Sequence, residues 1–266
     1  MSSRMPARVA RSVALGVPML LVGAIAHAQA WLPPKGWAAI TFTTGVSDVG
    51  NHLFSSTELG AGFENGTNEY DLGDIDTRLA SVGFQYGISD RFAIGADVAF
   101  VNSRYVGDFP ENPEIDNGEW HGSLADFRAA ARFQAYRGRV VVTPFAGVVI
   151  PTHDYEHHGH AAAGKGLWEV PVGASLGVPF GEDRTWSYLV GTVAYTVVEQ
   201  VEGLSVNRSS GIVEAGFFPT DKLVLRVQGG WQQTHGGVDW LEIDDANFGF
   251  HDAAADSDFW SAGAGV

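Results

Sequence analysis

Cysteine is absent from the 266 residues, so no disulfide scaffold organises this chain. Basic residues are scarce, with 16 Lys and Arg against 31 Asp and Glu. That balance excludes nucleic acid as a partner, because its backbone has to be met by clustered Lys and Arg. After residue 30 there is no apolar run of the roughly 20 residues that a membrane helix needs. Nor is there a GxSxG nucleophile elbow, and the "GKG" at 164–166 lacks the rest of a phosphate-binding loop. Ser, His and Asp are all frequent, but no spacing singles out a nucleophile with its base, so the chain reads as a non-enzyme.

Residues 1–30 differ from the rest. Arg4, Arg8 and Arg11 precede the apolar stretch "VALGVPMLLVGAIA", and the small residues of "AHAQA" follow. This is the layout of a secretory signal peptide with a cut near Ala28 or Ala30, leaving 31–266 as the functional domain. Without those three arginines the formal charge falls three units below −15.

The rest of the chain alternates with a period of two. In "FQYGISDRFAIGADVAF", Phe84, Tyr86, Ile88, Phe92, Ile94, Ala96, Val98 and Phe100 share one phase, and Gln85, Gly87, Ala93, Gly95, Asp97 and Ala99 the other. Strand side chains point alternately to opposite faces, so this is a hairpin with one apolar face. Ten strands are expected, near 37–46, 76–88, 91–105, 122–136, 139–150, 168–180, 185–198, 209–218, 223–233 and 259–266.

Short turns at Ser89-Asp90, Arg137-Gly138, Gly181 to Arg184 and Pro219 to Lys222 alternate with long segments at 47–75, 107–121, 151–167, 199–208 and 234–258. Loop lengths sorted by parity are the mark of an up-and-down antiparallel transmembrane β-barrel, which must close because lipid cannot satisfy an open backbone. Aromatics at strand ends, including Trp37, Phe92, Phe100, Phe133, Trp168, Phe180, Trp186, Phe217 and Trp231, would form interfacial girdles.

With the N-terminus in the periplasm, the long segments face outside. Three of them, 47–76, 107–121 and 234–258, are acidic and free of Lys and Arg, through residues such as Asp48, Glu58, Asp76, Glu111, Asp116, Asp239 and Asp252. Such acids keep a surface solvated; they also attract cations to a mouth or bridge through divalent ions to lipopolysaccharide.

The stretches "VTPFAGVVIPTHDYEHHGHAAAGKG" (142–166), "VEQVEGLSVNRS" (198–209), "WQQTHGGVD" (231–239) and "HD" (251–252) resemble a family of Gram-negative outer-membrane β-barrel transporters. That family is similar in style to the barrels named for the meta-pathway of phenol degradation. The resemblance covers the chain after residue 30 and implies an outer-membrane location, passage of small solutes, and contacts with lipid, lipopolysaccharide and the outer-membrane assembly machinery. It implies no cofactor. Barrels of this kind end on an aromatic residue, whereas "FWSAGAGV" does not. Two readings follow: a ten-stranded barrel, and the favoured twelve-stranded one with a C-terminally truncated sequence.

In the polar phase, Asp126, Arg128, Arg132, Glu169, Glu214 and Arg226 are candidate lumen and selectivity residues. In a narrow barrel the same residues would pair across the interior and plug it. "HDYEHHGH" gathers His153, Asp154, Glu156, His157, His158 and His160. Of these, His153, Asp154, His157, His158 and His160 are candidate metal ligands of the zinc, nickel or copper class, although the spacing fits no closed zinc motif. The expected function is a channel or transporter for small solutes; the alternative is a closed structural or surface-binding barrel with acidic, metal-binding external loops.

Overall fold

The computed structural model describes residues 30–50, 52–55, 67–70, 73–180, 187–220, 223–238 and 248–265. The signal-peptide segment to residue 29, the turn Gly181 to Arg184, Trp186 and the loop acids Glu58 and Asp239 lie outside the described residues.

The strands are β1 (Ala38–Val49), β2 (His52–Ser55), β3 (Thr67–Tyr70), β4 (Asp74–Ser89), β5 (Phe92–Val106), β6 (His121–Phe133) and β7 (Tyr136–Arg137). They continue with β8 (Val141–Pro151), β9 (Glu169–Phe180), β10 (Ser187–Val198), β11 (Val206–Thr220), β12 (Leu223–Gly236) and β13 (Phe259–Gly265). Ten of them form one antiparallel sheet in chain order, β1-β4-β5-β6-β8-β9-β10-β11-β12-β13, with the two-residue β7 added to β8. Each expected strand falls on one of these ten. Helix among the described residues is confined to two short turns, Phe248–Phe250 and His251–Ala254.

The sheet is apolar on the outside. Ile40, Phe42, Val82, Phe84, Ile94, Phe100, Val172, Leu189, Val193, Val213, Leu225 and Val227 are exposed, Phe42 to 76% and Val193 to 59%. The opposite phase is polar and covered: Thr143 and Ser175 are 0% exposed, and Asp97, Asp126, Arg132 and Glu214 are buried. An apolar surface of this extent marks a face built to be covered by something other than water. It is the inverse of a water-soluble β domain. The strands of 11 to 16 residues between β4 and β6 and at β8, β11 and β12 match or exceed the ~9–11 residues that cross a bilayer when tilted.

The sheet curves into an incomplete barrel. Neither β1 nor β13 has a second neighbour among the described residues, so the closed twelve-stranded form is not what these residues build. The seam shows in the burial: Ala39 and Thr41 share the inward phase of β1 yet are exposed.

Several expected boundaries move: the 122–136 strand stops at Phe133, and β12 runs on to Gly236. The segment 47–75 is shorter than expected, because β1 and β4 continue to Val49 and from Asp74, and it carries the hairpin β2-β3. The segment 199–208 loses Val206, Asn207 and Arg208 to β11. A bulge in β6 also matters: Val98 and Phe100 of β5 face Phe127 and Leu124, so β6 carries one extra residue, and both Ala125 and Asp126 turn inward.

The chain before β1 enters the barrel at the short-turn end. Ala30 is fully buried, and its carbonyl accepts hydrogen bonds from Thr143 Oγ1 (2.5 Å) and Gln134 Nε2 (3.5 Å). Trp31 packs edge-on against Tyr188, with ring centroids 6.0 Å apart. Gly177 makes room for this segment, since a Cβ there would stand 2.6 Å from that of Ala30. Gly177→Val is therefore expected to expel residues 30–36 while leaving the β8-β9 ladder intact. Hydrogen-exchange mass spectrometry checks this: exchange of that segment should accelerate several-fold with the ladder unchanged, and equal rates would refute it.

Candidate functional site

Inside the barrel a cavity of about 240 Å³ is lined by two charged residues, Arg128 and Glu169, together with Thr192, Thr196, Gln228 and Gln232 among others. All six lumen candidates fall on strands that present them inward. Asp126, Arg132 and Glu214 are buried.

Four of the six, Arg128, Glu169, Glu214 and Arg226, pair laterally. Arg128 on β6 meets Asp97 on the adjacent β5 at 3.4 Å. Arg226 on β12 approaches Glu214 on β11 at 4.0 Å, and Glu214 also accepts a 2.6 Å hydrogen bond from Tyr188 on β10. Glu169 on β9 pairs with Arg208 on β11, spanning only β10. Charges compensated along the inward face offset part of their desolvation without a bridge through the middle. Asp97, Tyr188 and Arg208 complete the set. Asp97 was legible as an inward residue of its strand, and Arg208 becomes so once β11 starts at Val206.

The long-loop end is covered by a lid, and carboxylates hold it together. Asp116, buried in the 107–120 loop, accepts four backbone N–H groups: Glu111 (3.0 Å), Asn112 (3.1 Å) and His160 (3.1 Å) on Oδ2, and Ala161 (2.9 Å) on Oδ1. It thereby ties its own loop to the 152–168 loop. Asn112 adds a side-chain bond to the His158 carbonyl at 3.0 Å. From a third loop, Asp252 Oδ2 accepts the Gly159 N–H at 2.7 Å. Gly159 has φ +120, and a Cβ there would stand 3.0 Å from Asp116 Oδ2, so only glycine lets the three loops converge.

Beneath the lid, Tyr155 reaches into the barrel and donates to Asp126 Oδ1 at 2.5 Å, while its hydroxyl accepts the Gly166 N–H at 3.1 Å. Burial and the neighbouring carboxylate push the Tyr155 phenol up, which keeps it a donor. Ala161 and Ala162 pack with Ile75, Tyr105 and Ile115, and Ala163 packs with Ala99, Val101 and Ala125. The 152–168 loop therefore folds inward.

The candidate metal ligands are dispersed by this fold. His153 bonds to Ser123 and Thr152, and His157 Nδ1 faces the Tyr155 carbonyl at 3.3 Å. His160 stacks on Tyr105, with centroids 4.3 Å apart, and its Nε2 lies 3.1 Å from the Phe109 carbonyl. His158 lies instead beside Glu111 and Asp252, which come from the two other loops. The acidic segments are also partly neutralised. Asp76 pairs with Arg104 at 2.5 Å, and Arg78 and Arg104 flank the Trp120 ring at 4.0 and 5.1 Å.

No family model matches this chain, and no curated protein matches it. Among solved structures it is similar to an outer membrane channel from Pseudomonas putida F1, at 10% identity with a TM-score of 0.55, covering 77% of this chain and 74% of that one. At that identity the likeness is one of fold.

Two outcomes are expected of the lid. Asp116→Ala leaves four N–H groups to find water, a loss on the order of 1–3 kcal/mol in local stability; limited proteolysis should then cut within 107–120 and 152–168 faster, with the strands resistant. Lys165 is held down to about 8 by burial, with Arg208 adding to the effect and Glu169, Asp252 and Asp256 opposing it. Between about 8 and the ordinary 10.5 the folded lid binds fewer protons than the unfolded chain, so its packing strengthens as pH rises through that window and weakens as pH falls. An NMR titration of the Lys165 side chain, assigned by its loss in Lys165→Met, should show a midpoint near 8; a midpoint above 10 would contradict this.

Proposed function

We propose that this chain is an outer-membrane β-barrel channel for small polar solutes, with the lumen as the pathway and the inward-folded loops as its lid. The observation that carries the reading is the inverted distribution of residues: an exposed apolar belt outside, and laterally paired charges with a partly polar-lined cavity inside. Hydrocarbon satisfies the first and water the second. The fold likeness to a solved outer membrane channel supports the same reading.

In this proposal Arg128, Glu169, Arg208, Glu214 and Arg226 present both signs of charge along one wall, which suits small polar or zwitterionic solutes over large apolar ones. Bilayer lipid and lipopolysaccharide are the surroundings, and the role is passage, not catalysis. Among the described residues β1 and β13 each have one neighbouring strand, and an open sheet edge cannot face hydrocarbon, so in this proposal the barrel closes in the membrane, with twelve strands in the form the sequence resemblance implies. A signal cut after Ala28 retains Ala30, whose carbonyl is bound inside the barrel.

Planar-bilayer conductance of the refolded protein tests the channel. The intact chain should give small or infrequent steps, and deletion of 153–163, which unseats Tyr155 and the Ala161–Ala163 contacts, should raise conductance several-fold. A folded barrel that stays silent with and without the loop would overturn the reading in favour of a closed, surface-binding barrel.

A further inference from the structure

We propose that Glu111, His158 and Asp252 form a zinc-class divalent cation site that locks three loops together over the barrel mouth. Each offers one ligand atom, and the three atoms lie within 4.8 Å of one another. His158 Nδ1 is 3.2 Å from Asp252 Oδ2, close to the roughly 3.3 Å that separates two ligands around a tetrahedral zinc with bonds of about 2.0–2.1 Å. The third ligand has only a short distance to close.

The donor set decides the kind of ion. Two carboxylates neutralise a divalent charge, and an imidazole selects zinc, nickel or copper over calcium and magnesium, which take oxygen ligands. Three protein ligands leave a fourth position for water. The ligand side chains are largely buried yet still reach solvent, with His158, Asp252 and Glu111 exposed to 19%, 20% and 9%.

The surroundings hold the ligands in place. The Gly159 N–H fixes Asp252, the Asp116 carboxylate fixes the Glu111 backbone, and His160 Nε2 stands 3.6 Å from Glu111 Oε1. Because the ligands come from the 107–120, 152–168 and 237–258 connections, an ion bound here cross-links the whole lid. His153 and His157 are engaged elsewhere and serve as internal controls.

Isothermal titration of zinc chloride into the refolded, chelator-treated full chain tests this. One zinc per chain is expected, with affinity falling at least tenfold in His158→Ala, Glu111→Gln and Asp252→Asn and unchanged in His153→Ala and His157→Ala. Asp252→Asn keeps an acceptor for Gly159, and heat-modifiable gel mobility verifies that each variant is folded. Zinc should also slow hydrogen exchange in all three loops of the parent protein. Affinity that survives His158→Ala, falls in His153→Ala, or leaves loop exchange unaltered would overturn the proposal. The binding readout is independent of conduction: an intact chain that binds zinc at these residues, in a barrel that stays silent with and without residues 153–163, removes the channel reading and leaves the site standing.

Discussion

Backbone hydrogen bonding within one sheet is the constraint on which everything else in this molecule rests. A strand surrounded by hydrocarbon has no water to satisfy its N–H and C=O groups, so each must find them on a neighbouring strand. From β1 to β13 the ten main strands pair in chain order, with every neighbouring pair antiparallel. Once the strands are committed to that sheet, the period of two sorts side chains onto two faces. The outward face carries Phe42, Val193 and Val227, and the inward face carries Asp97, Arg128 and Glu214.

The inward face then has its own problem, which is to hold charges away from bulk water without filling the interior. Lateral pairing solves it. Asp97 with Arg128, Glu214 with Arg226 and Glu169 with Arg208 all join neighbouring or next-but-one strands. Chain segments enter the interior at its ends instead: Ala30 and Trp31 from the short-turn end, and the 152–168 loop from the other. At the long-loop end the binding elements are carboxylates accepting backbone N–H groups, so the abundant acid does structural work that loop solvation alone does not describe.

Much of this was legible because strand patterning is local. The hairpin from Phe84 to Phe100 announces its two faces in its own sequence, and the structure places Phe84, Ile94 and Phe100 outside and Asp97 inside. Arg208 was placed in a loop because β11 begins at Val206, three residues earlier than its alternation alone declares. The β6 bulge at Ala125-Asp126 was invisible, since an extra residue in one strand is defined only by register with its neighbour. The histidine-rich stretch read as one cluster of ligands, but the loop separates its members: His153 meets Ser123, His160 meets Tyr105, and His158 meets Glu111 and Asp252.

The sequence by itself determined the all-β antiparallel fold class, the order of the ten main strands, and the inward phase of the strands that alternate cleanly, because those follow from side-chain alternation and turn residues along a contiguous stretch. Only the tertiary structure decided that the wall charges pair sideways, that the 152–168 loop folds in, and that residues 111, 158 and 252 converge. Irregular loops have no repeat from which direction can be read. Their positions are set by long-range contacts, here carboxylates reaching backbone amides 44 to 93 residues away.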